Sequence, residues 1–231
     1  MSQDEDFRAF IDEIFKTTLE WNPVLGTYLG LHEYDPYMGD YSKEHILKEI
    51  RTVEKWSERL QEFDVSKLNQ GNRIDWELIN RMLKLNLFFD KELKIWERQN
   101  NLGDIVISAI YLLFIKDFAP FEKRLESITS RLNYTNKIAE DLKKRCTRPV
   151  KTWSKIASEV AAQSIGFLRL IETTAKTLKV PEESLEKYLN TEEKASKTLM
   201  DFKKYLDEEI IPEAPDDWAI GAENLRRLLD M

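Results

Sequence analysis

The residues best suited to chemistry lie in one short stretch, where histidine, acidic and tyrosine side chains are interrupted by proline and glycine. His32 and Glu33 form the first half of an HExxH zinc motif, in which two histidines one helical turn apart bind the metal and the glutamate acts as the base. Asp35 and Pro36 follow instead, so that no second histidine stands one turn later and the proline disfavours the required helix. The motif is therefore incomplete, and we expect no zinc site here.

Other metal and nucleotide sites also lack their residues. The chain has two histidines and one cysteine, and no glutamate stands three residues before either histidine, as a di-iron helical bundle requires. Glu33 to Glu44 has the span of a calcium loop, but Tyr37 and Met38 stand where a ligand and the turn glycine belong. Glycine-rich phosphate loops and the GxSxG nucleophile motif are absent from the sequence. We therefore predict no cofactor and no catalytic constellation.

The single cysteine and the apolar segments bear on where the protein works. Cys146 has no second cysteine to pair with, which fits a reducing compartment, and we interpret it as a half-buried structural thiol. The opening residues MSQDEDF lack the apolar core of a secretory signal. The most apolar run, Ile105 to Ile115, is far shorter than the ~20 residues that cross a membrane. These features predict a soluble cytoplasmic protein with no membrane partner.

Composition indicates a folded, acidic, helical chain. Its 231 residues are 42% hydrophobic and 33% charged, which is typical of a globular protein. The net charge of −7 disfavours nucleic acid as a partner, because phosphates repel an acidic surface. We predict a single helical domain over residues 1–231, including a helix-loop insertion at 20–42 and a closing segment at 212–231.

The insertion is the one region that departs from long amphipathic helices. Three of the seven glycines, two of the seven prolines and four tyrosines fall between residues 21 and 42. Grouped polar aromatic residues in a loop suit ligand recognition. In the structural interpretation, which we prefer, Asp35 and Asp40 accept hydrogen bonds from loop N–H groups or cap helices, and the tyrosines cover the end of the bundle. The candidate residues are Tyr28, His32, Tyr34, Asp35, Tyr37 and Asp40.

Hydrophobic periodicity predicts an all-α fold, a multi-helix bundle of about eight to ten helices without a sheet. Ser2 and Glu5 have the spacing of a capping box at the first helix. A helix of roughly 28 residues is expected after the turn at Asn69 and Gly71, ending near Gln99. A break or kink is expected at Asn190-Thr191 in the helix that follows Pro181.

The closing segment carries more apolar side chains than a terminal helix usually exposes. It ends in a predicted short helix, Ala222–Leu229. An exposed apolar patch of this kind marks an interaction site. We therefore expect the segment either to dock back on the bundle or to be buried in a homodimer or against a separate catalytic chain. The candidate partner surface consists of Trp218, Ile220, Leu225 and Leu228.

A succession of short motifs resembles a known family. The motifs are Pro23, Leu29-Gly30, Tyr34-Asp35 and Asp40-x-Ser42, then Trp96, Phe118-Ala119-Pro120, Arg124-Leu125, Arg131-Leu132 and Ile220-Gly221-Ala222-Glu223. In this order they resemble the family called domain of unknown function 885. The resemblance covers most of the chain.

The resemblance implies a helical protein of metallopeptidase type, in which a zinc-binding HExxxGH-like helix lies in the C-terminal half. This sequence stops before any such segment, so it has no residues to which the zinc ligands or the catalytic glutamate can be assigned. We therefore expect a chain that is no enzyme on its own and that forms the non-catalytic N-terminal half, as a cleft wall or interaction surface. The alternative is a stand-alone ligand- or protein-binding bundle that uses the tyrosine-rich loop 32–41.

Overall fold

The computed structural model describes residues 2–231 as helices joined by short turns, with no β-strand in that range. The all-α prediction, with eight to ten helices and no sheet, is confirmed. The ten α-helices of this range are α1 Gln3–Trp21, α2 Pro23–Tyr28, α3 Lys43–Leu60, α4 Gln70–Asn86, α5 Leu102–Ile115, α6 Phe121–Leu132, α7 Thr135–Arg145, α8 Lys151–Thr177, α9 Glu182–Tyr205 and α10 Ala222–Leu229.

The helices fall into two compact units. The first unit contains the chain up to Glu20, Lys43–Trp96 and Ala219–Met231, and therefore α1, α3, α4 and α10. The second contains Trp21–Ser42 and Glu97–Trp218, and therefore α2 and α5 to α9. The segment predicted as an insertion, apart from Glu20, thus belongs to a different unit from the residues on either side of it. The single domain over 1–231 stays a prediction.

In the second unit, the apolar helix α5 packs on α6 and α8, and α8 and α9 pack beside each other. Gly103 near the start of α5 permits close approach to α8, because a Cβ at that position would lie 2.9 Å from the backbone nitrogen of Ala161. The Tyr188 hydroxyl, on α9, donates a hydrogen bond of 2.7 Å to the carbonyl of Leu168 on α8. Burying both the ring and its hydroxyl is tolerated because that polar group is satisfied.

In the first unit, aromatic packing and reciprocal capping fix α1. Phe7 and Phe10 are completely buried and both rings pack against Phe63. The Glu5 N–H donates to the Ser2 hydroxyl at 3.3 Å, and the Ser2 N–H donates to the Glu5 carboxylate at 2.7 Å. The capping box predicted from the sequence is therefore confirmed.

The long helix predicted to reach Gln99 was wrong. Regular α4 ends at Asn86, a π-helical turn follows over Leu87–Glu92, and Lys94 adopts a positive φ of 50°. The change of direction buries Trp96, whose indole N–H donates to the Asp90 carbonyl at 2.9 Å. Tertiary burial of one large side chain outweighs the local preference for a straight helix.

The break predicted at Asn190-Thr191 was also wrong, since α9 runs through both residues without interruption. Thr191 is buried, and its hydroxyl lies 3.4 Å from the Asn133 side-chain oxygen. Packed residues on both sides, including Tyr188 and Ala195, hold the helix in place of the cap that the sequence indicated.

Candidate functional site

Local signals fold the segment 21–42 back on itself. Asn22 caps α2 by accepting the Leu25 N–H at 3.3 Å, and Pro23 stands in the first turn, where it needs no donor. Gly30 has a φ of 79°, which reverses the chain after α2. Gly26 leaves room for the returning loop, because a Cβ there would lie 2.7 Å from the Tyr34 side chain. The loop therefore packs directly on α2.

Arg131 on α6 holds this loop from beneath. The residue is only 2% exposed, and its Nε donates to the Tyr37 carbonyl at 3.1 Å. One terminal nitrogen, Nη2, donates to the Tyr34 carbonyl at 3.2 Å and to the Thr27 hydroxyl at 2.6 Å. The other, Nη1, donates to the carbonyl of Ala109 on α5. A single guanidinium thus joins α2, the loop and α5.

The buried charge is compensated through Thr27. Burial lowers the pKa of Arg131 to about 10, against the opposing influence of the Asp35 carboxylate, so the guanidinium stays charged at neutral pH. Thr27 is itself buried, and its hydroxyl donates to Asp35 Oδ1 at 2.7 Å. Asp35 is 4% exposed. Arginine, threonine and aspartate therefore form one continuous polar chain below the loop.

The polar chain reaches the surface at His32. The second carboxylate oxygen, Asp35 Oδ2, lies 3.0 Å from His32 Nδ1. The imidazole is stacked on the Phe118 ring, with centroids 3.8 Å apart and planes at 13°. The His32 side chain remains 45% exposed. The imidazole is thus held at Nδ1 by Asp35 and on one face by Phe118, and part of the ring remains exposed to solvent.

The predicted loop residues separate into an outer and an inner set. Tyr28 and Tyr37 are 53% and 56% exposed, whereas Tyr34 is half-buried and Asp35 is buried. Asp35 accepts from the Thr27 hydroxyl and lies against His32, in place of the backbone N–H partners that we expected.

Asp40 does have the backbone partner that the structural interpretation predicted. Its carboxylate accepts the Ser42 N–H at 2.9 Å and lies 3.0 Å from the Lys137 amine. Partial burial opposes ionisation, but the hydrogen bonds from Ser42 and Lys137 outweigh it and lower the pKa of Asp40 to about 2. This part of the structural interpretation is confirmed.

Three residues of the site were not among the predicted site residues. Phe118 and Arg131 appeared only within the motifs that carried the family resemblance, and Thr27 gave no signal in the sequence. The structure places Phe118 against His32, 86 residues away in the chain, and Arg131 against the Tyr34 carbonyl, 97 residues away. The separate motifs are therefore parts of one site.

The closing segment is exposed in large part. Among the described residues of α10 none is buried, and Leu225 is 49% exposed while Ile220 and Leu228 are half-buried. Within the first unit, Arg227 attaches α10 by a 2.8 Å ion pair with Glu92. In the second unit, Trp218 is 60% exposed. The partner surface stays a prediction.

The remaining chemical candidates are accounted for. Burial raises the pKa of the Cys146 thiol to about 11, with Arg145 opposing, which agrees with a structural cysteine. Residues 2–231 hold no cluster of three or more His, Cys, Asp or Glu side chains arranged for a metal ion. That no cofactor binds stays a prediction. In the described part of the chain, no helix is both long enough and apolar enough to cross a membrane.

Comparison with known proteins identifies similar sequences and folds. A family model described as "Bacterial protein of unknown function (DUF885)" matches residues 23–230. Among solved structures, the chain is similar to a Shewanella oneidensis protein described as "a putative lipoprotein of unknown function", with a TM-score of 0.82 and 18% sequence identity. The similarity covers 96% of this chain and 41% of that chain, so this chain spans less than half of that protein. At this identity the likeness shows the fold alone. No curated protein matches significantly.

Proposed function

The chain belongs to the DUF885 family of bacterial proteins of unknown function, and on that basis we propose that it is a non-catalytic, helical part of a metallopeptidase-like protein. In this role it supplies one wall of a peptide-binding cleft, and another part of the assembly supplies the chemistry. The length relation supports the proposal, because 96% of this chain corresponds to 41% of the similar lipoprotein. The exposed apolar residues of α10 would face that other part.

The observation that carries the proposal is a group of large exposed side chains at the end of α2 and on the loop, whose backbone is held by buried hydrogen bonds. Tyr28 and Leu29 are each 53% exposed, and Tyr37 is 56% exposed. Arg131 holds the backbone of this loop through the Tyr34 and Tyr37 carbonyls. Exposed tyrosines on a fixed backbone suit peptide recognition, because they offer apolar area and a hydroxyl at a low entropic cost.

A peptide-binding measurement tests this function. The purified chain is screened against an array of random peptides, and the best binders are measured by fluorescence anisotropy. We expect Tyr28→Ala with Tyr37→Ala to weaken binding at least tenfold, since each removes a large contact. The matched control is Tyr111→Ala, which removes an exposed tyrosine (43%) from α5 of the same unit. The absence of binding peptides, or equal losses in the control, would refute the proposal.

The alternative is a stand-alone binding bundle that uses loop 32–41. The same exposed tyrosines favour it, so peptide binding alone does not separate the two. The genomic neighbourhood does: the metallopeptidase-like role expects an HExxxGH-bearing sequence encoded with this one, in the same or the adjacent reading frame. A neighbourhood without such a sequence would favour the stand-alone bundle.

We also propose that the protein acts in the cytoplasm. The support is compositional, because a single cysteine suits a reducing compartment. Cell fractionation with a periplasmic marker tests this. Recovery of the protein with that marker or with membranes would refute a cytoplasmic location.

A further inference from the structure

The hydrogen-bond directions within the loop network are fixed by chemistry. A guanidinium can only donate, so the Thr27 hydroxyl oxygen accepts from Arg131 at 2.6 Å. The hydroxyl hydrogen is then free to point at Asp35 Oδ1, which lies at 2.7 Å and is an acceptor when ionised. Asp35 Oδ2 is therefore left to accept a hydrogen from His32 Nδ1 at 3.0 Å.

The consequence is a defined tautomer at the surface. With the hydrogen of neutral His32 on Nδ1, the lone pair lies on Nε2. The stack on Phe118 holds the plane of the ring, with the two planes at 13° and the centroids 3.8 Å apart, and the contact with Asp35 selects Nδ1 as the inner nitrogen. The side chain is 45% exposed, so the ring remains accessible to solvent although it is held in place. A fixed acceptor loses little entropy when it binds a donor.

We propose that His32 Nε2 is a ligand-binding acceptor, which takes a hydrogen bond from a backbone N–H of a peptide bound at the loop. The proposal rests on the peptide-binding function given above and names one of its contacts. Asp35, Thr27 and Arg131 are positioning residues. Asp35 and Thr27 act by fixing the tautomer of His32, and Arg131 also holds the backbone of the loop. The uncharged peptide N–H matches Nε2, which carries one lone pair and no hydrogen.

The tautomer can be measured without any ligand. Long-range ¹H–¹⁵N spectra at pH 8 distinguish a ring nitrogen that carries hydrogen from one that carries a lone pair. The chain contains only one other histidine, His45, whose Nε2 lies 3.0 Å from the Glu49 carboxylate. The signals of the two histidines are therefore assigned separately. We expect hydrogen on Nδ1 of His32. Hydrogen on Nε2 of His32 would overturn the proposal.

Peptide binding tests the role of the acceptor. His32→Phe keeps a ring on Phe118 but removes both ring nitrogens, and losing the bond from Nε2 should weaken binding of the best peptide about fivefold, the worth of one hydrogen bond. In Asp35→Asn the amide can donate to Nδ1, so that Nε2 becomes a donor facing the peptide N–H, and a loss of about tenfold or more is expected. The His32 spectrum of Asp35→Asn should show that inversion.

N-methylation of the peptide identifies the donor. Each backbone nitrogen of the peptide is methylated in turn. At one position, methylation should weaken binding to the wild-type chain about fivefold but should not weaken binding to His32→Phe. If every methylation costs the same with both chains, His32 is not the acceptor, although loss of binding in the tyrosine variants would leave the peptide-binding function standing. If no peptide binds, both proposals are wrong.

Discussion

Replacing Arg131 by methionine should destabilise the second unit more than any other single change at the loop. The side chain is 2% exposed and donates to three backbone carbonyls and to the Thr27 hydroxyl. Methionine fills a similar apolar volume but donates nothing. The change therefore leaves buried acceptors without donors and leaves the Asp35 carboxylate without its nearby cation.

The magnitude follows from the types of groups left behind. A buried acceptor that loses its donor costs about 1–3 kcal/mol, and the loop carbonyls of Tyr34 and Tyr37 regain part of this from water. Removing one member of a buried charged network costs about 3–5 kcal/mol. We expect a loss of about 3–5 kcal/mol for Arg131→Met, which is a large share of the roughly 5–15 kcal/mol that stabilises a typical domain.

Urea unfolding followed by circular dichroism measures the loss, and hydrogen exchange over residues 27–38 shows whether the loop is released first. Arg169→Met is the control, because Arg169 lies exposed on α8 of the same unit and its loss should cost less than about 0.5 kcal/mol. Asp35→Asn should lower the free energy of unfolding less in the Arg131→Met background than in the wild-type chain, because the carboxylate has already lost its cation there. A loss below about 1 kcal/mol for Arg131→Met, or full protection of the loop, would refute this account.

Three further predictions concern other parts of the chain. Lys179 has a φ of 54° just after α8, a conformation that glycine adopts more readily, so Lys179→Gly should raise the free energy of unfolding by about 0.5–1 kcal/mol. Lys176→Gly, within the helix, should instead lower it by about 1 kcal/mol. Urea unfolding of the two variants measures both effects. Asp40 has a pKa of about 2 against the ordinary 3.8, so its contribution is present above pH 4 and is lost as the pH falls through 2. Asp40→Asn should therefore cost about 1 kcal/mol at pH 7, allowing for 45% exposure, and almost nothing at pH 2; equal losses at both pH values would contradict this. Light scattering should show that the protein associates with itself or with a catalytic chain, and the double variant Trp218→Ala/Leu228→Ala should abolish this association. If the wild-type protein is a monomer at all concentrations and the variant loses several kcal/mol of stability, the segment belongs to the core.

The amino-acid sequence alone determined that the chain is helical and where its first and last helices begin. The Ser2–Glu5 capping box and the closing helix Ala222–Leu229 depend on residues a few positions apart, and the structure confirms both. The family resemblance likewise rested on short motifs, and the match to residues 23–230 confirms it. Such local signals can be recognised in a sequence because the interacting residues lie within one or two helical turns of each other.

Only the tertiary structure decided the geometry that depends on distant partners. The turn after Asn86 and the uninterrupted helix at Thr191 both reverse a local preference, because packing of Trp96 and Tyr188 contributes more free energy than propensity does. Arg131 and Thr27 are 104 residues apart, and an arginine on an amphipathic helix normally points to solvent. Its burial beneath the loop, and with it the orientation of His32, follows from how α2, α5 and α6 meet, which no local pattern in the sequence encodes.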